Sequence, residues 1–306
     1  MDGAAQAELA RMEFAISQWE NFMFASSGFR KSCVVAAIAT LAASVTPAWA
    51  QPTKAPAPVA NEFTPEVGQQ GKDVVWVPTA QTLVNKMLDM AKLTPQDILY
   101  DLGSGDGRTV ITAAKRGTRA FGIEYNPDMV ELSKRNATKE GMDGKATFEQ
   151  ADIFQADFSK ATVITLFLLP ELNVKLRPTI LDMKPGTRVV ANSFDMRDWK
   201  PDQTARVEGK CETWCTAYLW IVPAKVAGMW KLAHGELTLT QQYQTLTGEL
   251  RMRDKTLAIS SGKLDGENIS FSVGGVQYSG RVRGDAMDGT MAAGATRSPW
   301  SAARGN

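Results

Sequence analysis

Histidine and cysteine are almost missing from this chain. Its 306 residues include one histidine, His234, and three cysteines, Cys33, Cys211 and Cys215. A zinc site is not expected, because the only histidine is remote in sequence from the paired cysteines. Excess charge is missing too: 34 basic side chains stand against 33 acidic ones, a net charge of +1. That balance argues against a broad nucleic-acid face, which needs clustered positive charge. Membrane-length apolar segments are also lacking. The run from Cys33 to Ala50 is short for a span and contains Thr40, Ser44, Thr46 and Pro47.

That run reads instead as an export signal. Arg30 and Lys31 precede it, and Ala48-Trp49-Ala50 gives the small-x-small ending after which cleavage is expected. Cys33 lies at the start of the run rather than its end, so a lipoprotein reading is weak. The signal is placed at residues 23–50, with Met23 as the start and residues 1–22 as an over-called extension. Residues 51–65 are rich in Pro and Ala and read as an extended linker. An exported, periplasmic protein is expected; it is cytoplasmic if the signal is misread. The mature chain would then carry two cysteines in an oxidising compartment. On one straight strand the Cα atoms of Cys211 and Cys215 would lie roughly 13 Å apart, too far to bond. A turn at Glu212-Thr213-Trp214 would permit a disulfide, so free thiols and a loop disulfide both stay open.

Two styles of patterning follow. From Pro78 to Pro223, short apolar strands such as "DILYD", "RAFGIE", "ATFEQ", "VITLFLL" and "TRVVANS" alternate with helical stretches. "TAQTLVNKMLDMAKL" spaces Leu83, Met87, Met90 and Leu93 as a helix does. "NPDMVELSKRNATKEG" offers Asn126 as cap, Pro127 in the first turn and Gly141 at the close. Alternation of this kind implies an α/β fold with a mostly parallel, doubly wound sheet over residues 66–223. From Gly228 to Ala303, short alternating runs are broken by Gly-Gly and Asp-Gly, with no helical pattern. A small all-β meander or partial barrel is expected there. Trp230, Tyr278 and Trp300 are expected in its core, and Arg251, Arg253, Arg281 and Arg283 on a solvated face.

The stretch "ILYDLGSGDGR" carries the chemistry. Three glycines, Gly103, Gly105 and Gly107, stand between a strand and a helix. One would serve a tight turn; three let the backbone come close to a ligand at the carboxyl end of the sheet. The spacing is not G-x-G-x-x-G, since Thr109 and Val110 stand where a third glycine would fall. Asp106 inside the loop would repel a pyrophosphate but not a ligand carrying an ammonium and a sulfonium. Asp101 suits such a cation. Glu124, ending the second strand, can grip a ribose diol, and Asp152 with Ile153 can meet an adenine ring.

Taken in order, "VPT", "DLGSGDGR", "GIEYNP", "QADIF", "LFLLPELN" and "KPGTRVV" resemble the class I S-adenosylmethionine-dependent methyltransferases, over Val77 to Asp202. Within them the pattern looks most like bacterial relatives of mitochondrial protein-lysine methyltransferases. The resemblance implies a Rossmann-like methyltransferase sheet and S-adenosyl-L-methionine as cofactor. It assigns Asp101, Gly103, Ser104, Gly105 and Gly107 to the methionine part, Glu124 to the ribose, and Asp152 with Ile153 to the adenine. Leu169-Pro170-Glu171 replaces the Asn-Pro-Pro-Tyr type motif of other amino-methyltransferases, which weakens amide, adenine or cytosine methylation. Glu171, Asn173, Asp195 and Trp199 are acceptor-side candidates by position alone. The expected activity is N-methylation of a protein lysine or a small amine. An exported adenosyl-binding module without catalysis is the alternative, and a nicotinamide oxidoreductase fails on loop spacing.

Overall fold

The computed structural model describes residues 63–209 and 211–305. The expected extension, signal and most of the linker lie outside the described residues. Helix α1 (Gln81–Met90) turns Leu83, Val84, Met87 and Leu88 inward, as its spacing requires. It leads into β1 (Ile98–Leu102), α2 (Arg108–Lys115), β2 (Arg119–Glu124), α3 (Pro127–Lys139), β3 (Ala146–Gln150), β4 (Val163–Leu166), α4 (Pro170–Leu181) and β5 (Arg188–Asn192). The α3 cap forms as its sequence demands: Asn126 Oδ1 accepts the Asp128 N–H at 2.9 Å, with Pro127 behind it.

Two further strands, β6 (Gln203–Arg206) and β7 (Thr216–Ile221), complete a seven-stranded sheet in the order β3-β2-β1-β4-β5-β7-β6. The first five strands run parallel, and β7 is antiparallel to β5. Two cores cover the sheet faces. Leu83, Leu99, Val110 and Val190 belong to one; Leu102, Ile164, Leu176 and Trp220 belong to the other. The chain order jumps from β2-β3 back to β4 beside β1, so β1 and β4 flank the crevice where such sheets bind ligands.

The remaining eight strands, β8 (Gly228–Leu232) to β15 (Thr296–Arg304), form an up-and-down barrel. It is closed rather than partial, because β15 pairs with β8 through Ala302↔Leu232 and Arg304↔Trp230. Closure removes the sheet edges that an open meander would expose. Trp230, Phe271, Tyr278 and Trp300 fill its interior, with Phe271 stacked on Tyr278 at 4.8 Å and Trp300 set edgewise to both. Gly280 and Gly289 are cross-strand partners, and a Cβ on Gly280 would meet the Trp300 ring at 2.8 Å. Arg251, Arg281 and Arg283 lie outside, paired with Glu236, Glu267 and Asp288. Arg253 departs from the expected face: it sits in the turn after β10 (Thr245–Arg251) rather than in a strand.

Barrel and sheet meet at several points, chiefly at the Tyr243–Gln244 turn, with Lys263 against Asp202 and Gly266 against Gly186 beside it. Trp199 Nε1 donates to Gln244 Oε1 at 3.0 Å, and Gln244 Nε2 donates to the Lys200 carbonyl at 2.8 Å. Tyr243 stacks on Trp199 and donates its hydroxyl to Asp198 at 2.6 Å. No helix among the described residues is long and apolar enough to cross a membrane.

Candidate active site

The glycine loop takes left-handed backbone at Gly103 (φ 83°), Gly105 (φ 53°) and Gly107 (φ 82°), which L side chains rarely adopt. Its amides are already engaged. Gly103 and Ser104 N–H groups donate to the Ile123 carbonyl, Gly107 N–H to the Ser104 carbonyl, and Gly105 N–H to Glu124 at 3.0 Å. At the start of α2 the Arg108 N–H donates to Asp106. A pyrophosphate cradle needs those donors pointing outward, so this loop does not suit one.

Carboxylates surround the loop instead. Asp101 is buried beside β4 and accepts the Thr165 hydroxyl at 2.6 Å. Burial pushes its carboxyl up to about 7, a shift that the Thr165 bond opposes and the nearby Asp106 and Glu124 charges reinforce. A cationic ligand beside it would relieve that cost. Glu124 accepts the N–H groups of both Gly105 and Asn126, and so fixes the loop and the entry of α3 to the end of β2. The Asp106 carboxylate is engaged differently from the sequence expectation: Arg108 grips it in a forked ion pair and donates to the Thr79 carbonyl. Its charge is thus paired within the chain, though it still acts on Asp101. Ser104 is buried, with its hydroxyl against Gly122, where a Cβ would sit 2.6 Å from Oγ.

Residues 68–76 form a tight hairpin over this loop, which sequence reasoning missed. The Gly68 N–H donates to the Trp76 carbonyl and the Trp76 N–H to that of Gln69. A Cβ on Gly105 would lie 2.6 Å from Trp76 Nε1. Lys72 at the hairpin tip pairs with Asp152 at 2.7 Å and lies 4.7 Å from the Tyr125 ring centre. The pairing holds the Asp152 carboxyl below its ordinary range and Lys72 above its own. Ile153, beside Asp152, is half-buried against the α4-side core.

The acceptor-side candidates fall into distinct situations. Glu171 is exposed and bonded to Arg197 at 2.8 Å. Asn173 is fully buried and donates to the Phe194 and Asp195 carbonyls, holding the loop that follows β5. Asp195 accepts the Arg197 N–H. Trp199 is fully buried against the barrel turn, so it serves that joint and is removed from the acceptor side. Cys211 and Cys215 are bonded, their Cα atoms 5.8 Å apart, with Trp214 turned to φ 52° between them. That turn is what brings the sulfurs within reach.

Comparison with known proteins fits the same residues. The ANTKMT methyltransferase domain family matches residues 101–203, from Asp101 to the start of β6. A protein-lysine N-methyltransferase of Saccharolobus islandicus is 41% identical over 153 residues, covering 49% of this chain and 94% of that protein. The chain belongs to the S-adenosylmethionine-dependent methyltransferases. A human lysine N-methyltransferase, named for a subunit of ATP synthase, is 32% identical over 194 residues, 63% of this chain and 74% of that protein. A solved RNA methyltransferase from Salinibacter ruber, in complex with S-adenosyl-L-homocysteine, is 46% identical. It covers 49% of this chain and 96% of that one, with a TM-score of 0.46. The methyltransferase family match ends before the barrel begins.

The methyltransferase uses S-adenosyl-L-methionine, and its residues fit that cofactor. Asp101 is a buried carboxylate suited to an ammonium, Glu124 ends β2 where a diol would lie, and Asp152 with Ile153 follows β3. When bound, the cofactor supplies a methyl group already activated on a sulfonium.

Proposed function

We propose that this methyltransferase modifies the side-chain amine of a protein lysine, as an exported enzyme. The cofactor half rests on one observation: a buried Asp101 carboxyl lying beneath a glycine loop whose own amides are engaged. The acceptor class is supported by the lysine methyltransferases that are 41% and 32% identical to this chain. The even charge balance favours a protein amine over a nucleic acid. The Cys211–Cys215 disulfide accords with an oxidising compartment, and the sequence at residues 23–50 with a route to it.

Little acid–base machinery is required. A lysine ammonium with a pKa near ~10.4 must release one proton before its nitrogen can attack. With that proton lost to water, the neutral nitrogen would take the methyl group that the bound cofactor supplies, so alignment of the two would provide most of the rate. The chain's part is to fix the two reactants over neighbouring strand ends. Asn173 does so on the acceptor side by anchoring the Phe194–Asp195 backbone.

The test is methyl transfer from radiolabelled S-adenosylmethionine to proteins of a cell-envelope extract, with the modified residue located by mass spectrometry. Label on lysine, absent with Glu124→Ala, supports the proposal. Label on RNA alone, or none despite cofactor binding, rejects the acceptor assignment.

A further inference from the structure

Three aromatic rings converge at the carboxyl edge of the sheet on the side away from Glu124 and Asp152. Phe167 follows β4, Phe194 follows β5, and Trp214 precedes β7, and these three strands are neighbours. Phe167 and Phe194 stack with centroids 6.0 Å apart, and Trp214 stands edgewise to Phe167 at 6.1 Å. All three are partly exposed, whereas Trp199 and Trp220 of the same domain are fully buried. The row reaches the cofactor loop through Leu168, whose Cδ2 lies 3.2 Å from where a Gly103 Cβ would be.

Two further features mark this edge. Ser193 (φ 55°), Arg197 (φ 60°) and Trp214 (φ 52°) adopt left-handed backbone without being glycine, in the segments that carry Phe194 and Trp214. Strain of this kind persists only where the surroundings impose it. At Trp214 the imposing element is the disulfide that brackets it. In and against the Phe194 segment, Asn173 Oδ1, Asn192 Oδ1 and Ser193 Oγ are buried acceptors with no partner.

We propose that Phe167, Phe194 and Trp214 form the wall of the acceptor channel, and that the Cys211–Cys215 disulfide holds the Trp214 part of that wall in place. This rests on the lysine reading given above. A lysine side chain presents four methylenes and a cationic head. Ring faces accept both, the stem by apolar contact and the ammonium by cation–π attraction. Reduction of Cys211–Cys215 would release the turn at Trp214 and open the wall. Acceptor binding, and not cofactor binding, therefore depends on the redox state of this pair.

The full chain, saturated with S-adenosylhomocysteine, is titrated with Nα-acetyl-lysine amide and with its Nε-trimethylated form. Binding is followed by calorimetry and by the Trp indole resonances. The wild type is expected to bind both probes, and Trp214→Ala to weaken them at least ~tenfold while Trp214→Phe retains most of the affinity. S-adenosylhomocysteine affinity stays unchanged in both variants, which also shows that they fold. Dithiothreitol weakens probe binding to the wild type and has no effect on Trp214→Ala. No probe binding by the wild type, or equal binding by Trp214→Ala, overturns the channel. Probe binding indifferent to dithiothreitol overturns the role of the disulfide. Failure of the wild type to bind S-adenosylhomocysteine would instead count against the methyltransferase reading itself.

Discussion

In the barrel, buried indoles find partners: Trp230 Nε1 donates to the Val226 carbonyl at 2.8 Å and Trp300 Nε1 to the Ser279 carbonyl at 3.0 Å. In the sheet domain, Thr82, Ser104, Asn173, Asn192 and Ser193 bury side-chain oxygens that have none, and no described barrel residue does the same. The two regions are built to different ends. A closed barrel with a filled interior and satisfied polar groups is at its free-energy minimum without a ligand. The sheet domain carries unsatisfied oxygens and a buried acidic group at one edge, and such costs persist where binding relieves them. Position agrees: the barrel docks through Tyr243 and Gln244 onto the residue 198–200 loop, leaving the glycine loop clear of it.

Trp300→Ala should empty the centre of the barrel and cost about 3–5 kcal/mol of stability by chemical denaturation. The cofactor affinity of the folded fraction should not change. A large parallel loss of cofactor binding would show that the barrel shapes the site after all. Within the sheet domain, Glu124→Ala should act in reverse. It removes the acceptor for the Gly105 and Asn126 amides, and with it the carboxylate that the family resemblance assigns to the ribose. S-adenosylmethionine affinity should fall at least tenfold, about 1.4 kcal/mol, with the barrel intact.

Much of this division is legible in the sequence because it is local. The glycine loop, the Asn126-Pro127 cap and the alternation past Gly228 each declare themselves within a few residues. What was hidden depends on distant partners. Barrel closure rests on pairing between β8 and β15, at opposite ends of the region, and a meander with open edges has the same pattern. Lys72 and Asp152 are separated by 80 residues. Strand β7 reverses direction after five parallel strands, and the Cys211–Cys215 bond depends on a backbone angle at Trp214 that tryptophan seldom takes. Phe167, Phe194 and Trp214 are far apart in sequence; only the strand order β4-β5-β7 makes them one surface. Asp106 is the converse case: its partner Arg108 stands only two residues on, yet the forked ion pair between them is not read from that spacing.

Protonation separates the two regions as well, since no described barrel residue is a buried carboxyl like Asp101. With its carboxyl raised to about 7, Asp101 is neutral at pH 6 and ionised at pH 8. A bound cation favours the ionised form, so cofactor affinity should climb by up to ~tenfold per pH unit below 7 and level off above it. For the free protein the sign is opposite. A folded-state pKa above the unfolded value makes ionisation destabilising, so stability falls as pH rises from about 4 through 7. Asp101→Asn should flatten both profiles, bind the cofactor weakly, and make the free protein more stable at pH 8. Calorimetric titrations and denaturation midpoints across pH 5.5–8.5 would show it, and an unchanged slope in Asp101→Asn would assign the titration to another group.

The smallest effect expected lies at the hairpin. Lys72 holds the Asp152 carboxylate; if that carboxylate meets the adenine, as the family resemblance implies, ligand and hairpin compete for one acceptor. An exposed pair of this kind is weak and screened by salt. Lys72→Ala should therefore raise S-adenosylmethionine affinity only a few-fold, with the gain shrinking as salt increases. In an Asp152→Asn background, Lys72→Ala should change nothing, because the ion pair is already lost. If Lys72→Ala lowers affinity instead, the hairpin is a wall of the occupied site, with Trp76 over Gly105 as its inner face. The sign of this change separates a competitor from a lid, and it is measurable by calorimetry at two ionic strengths.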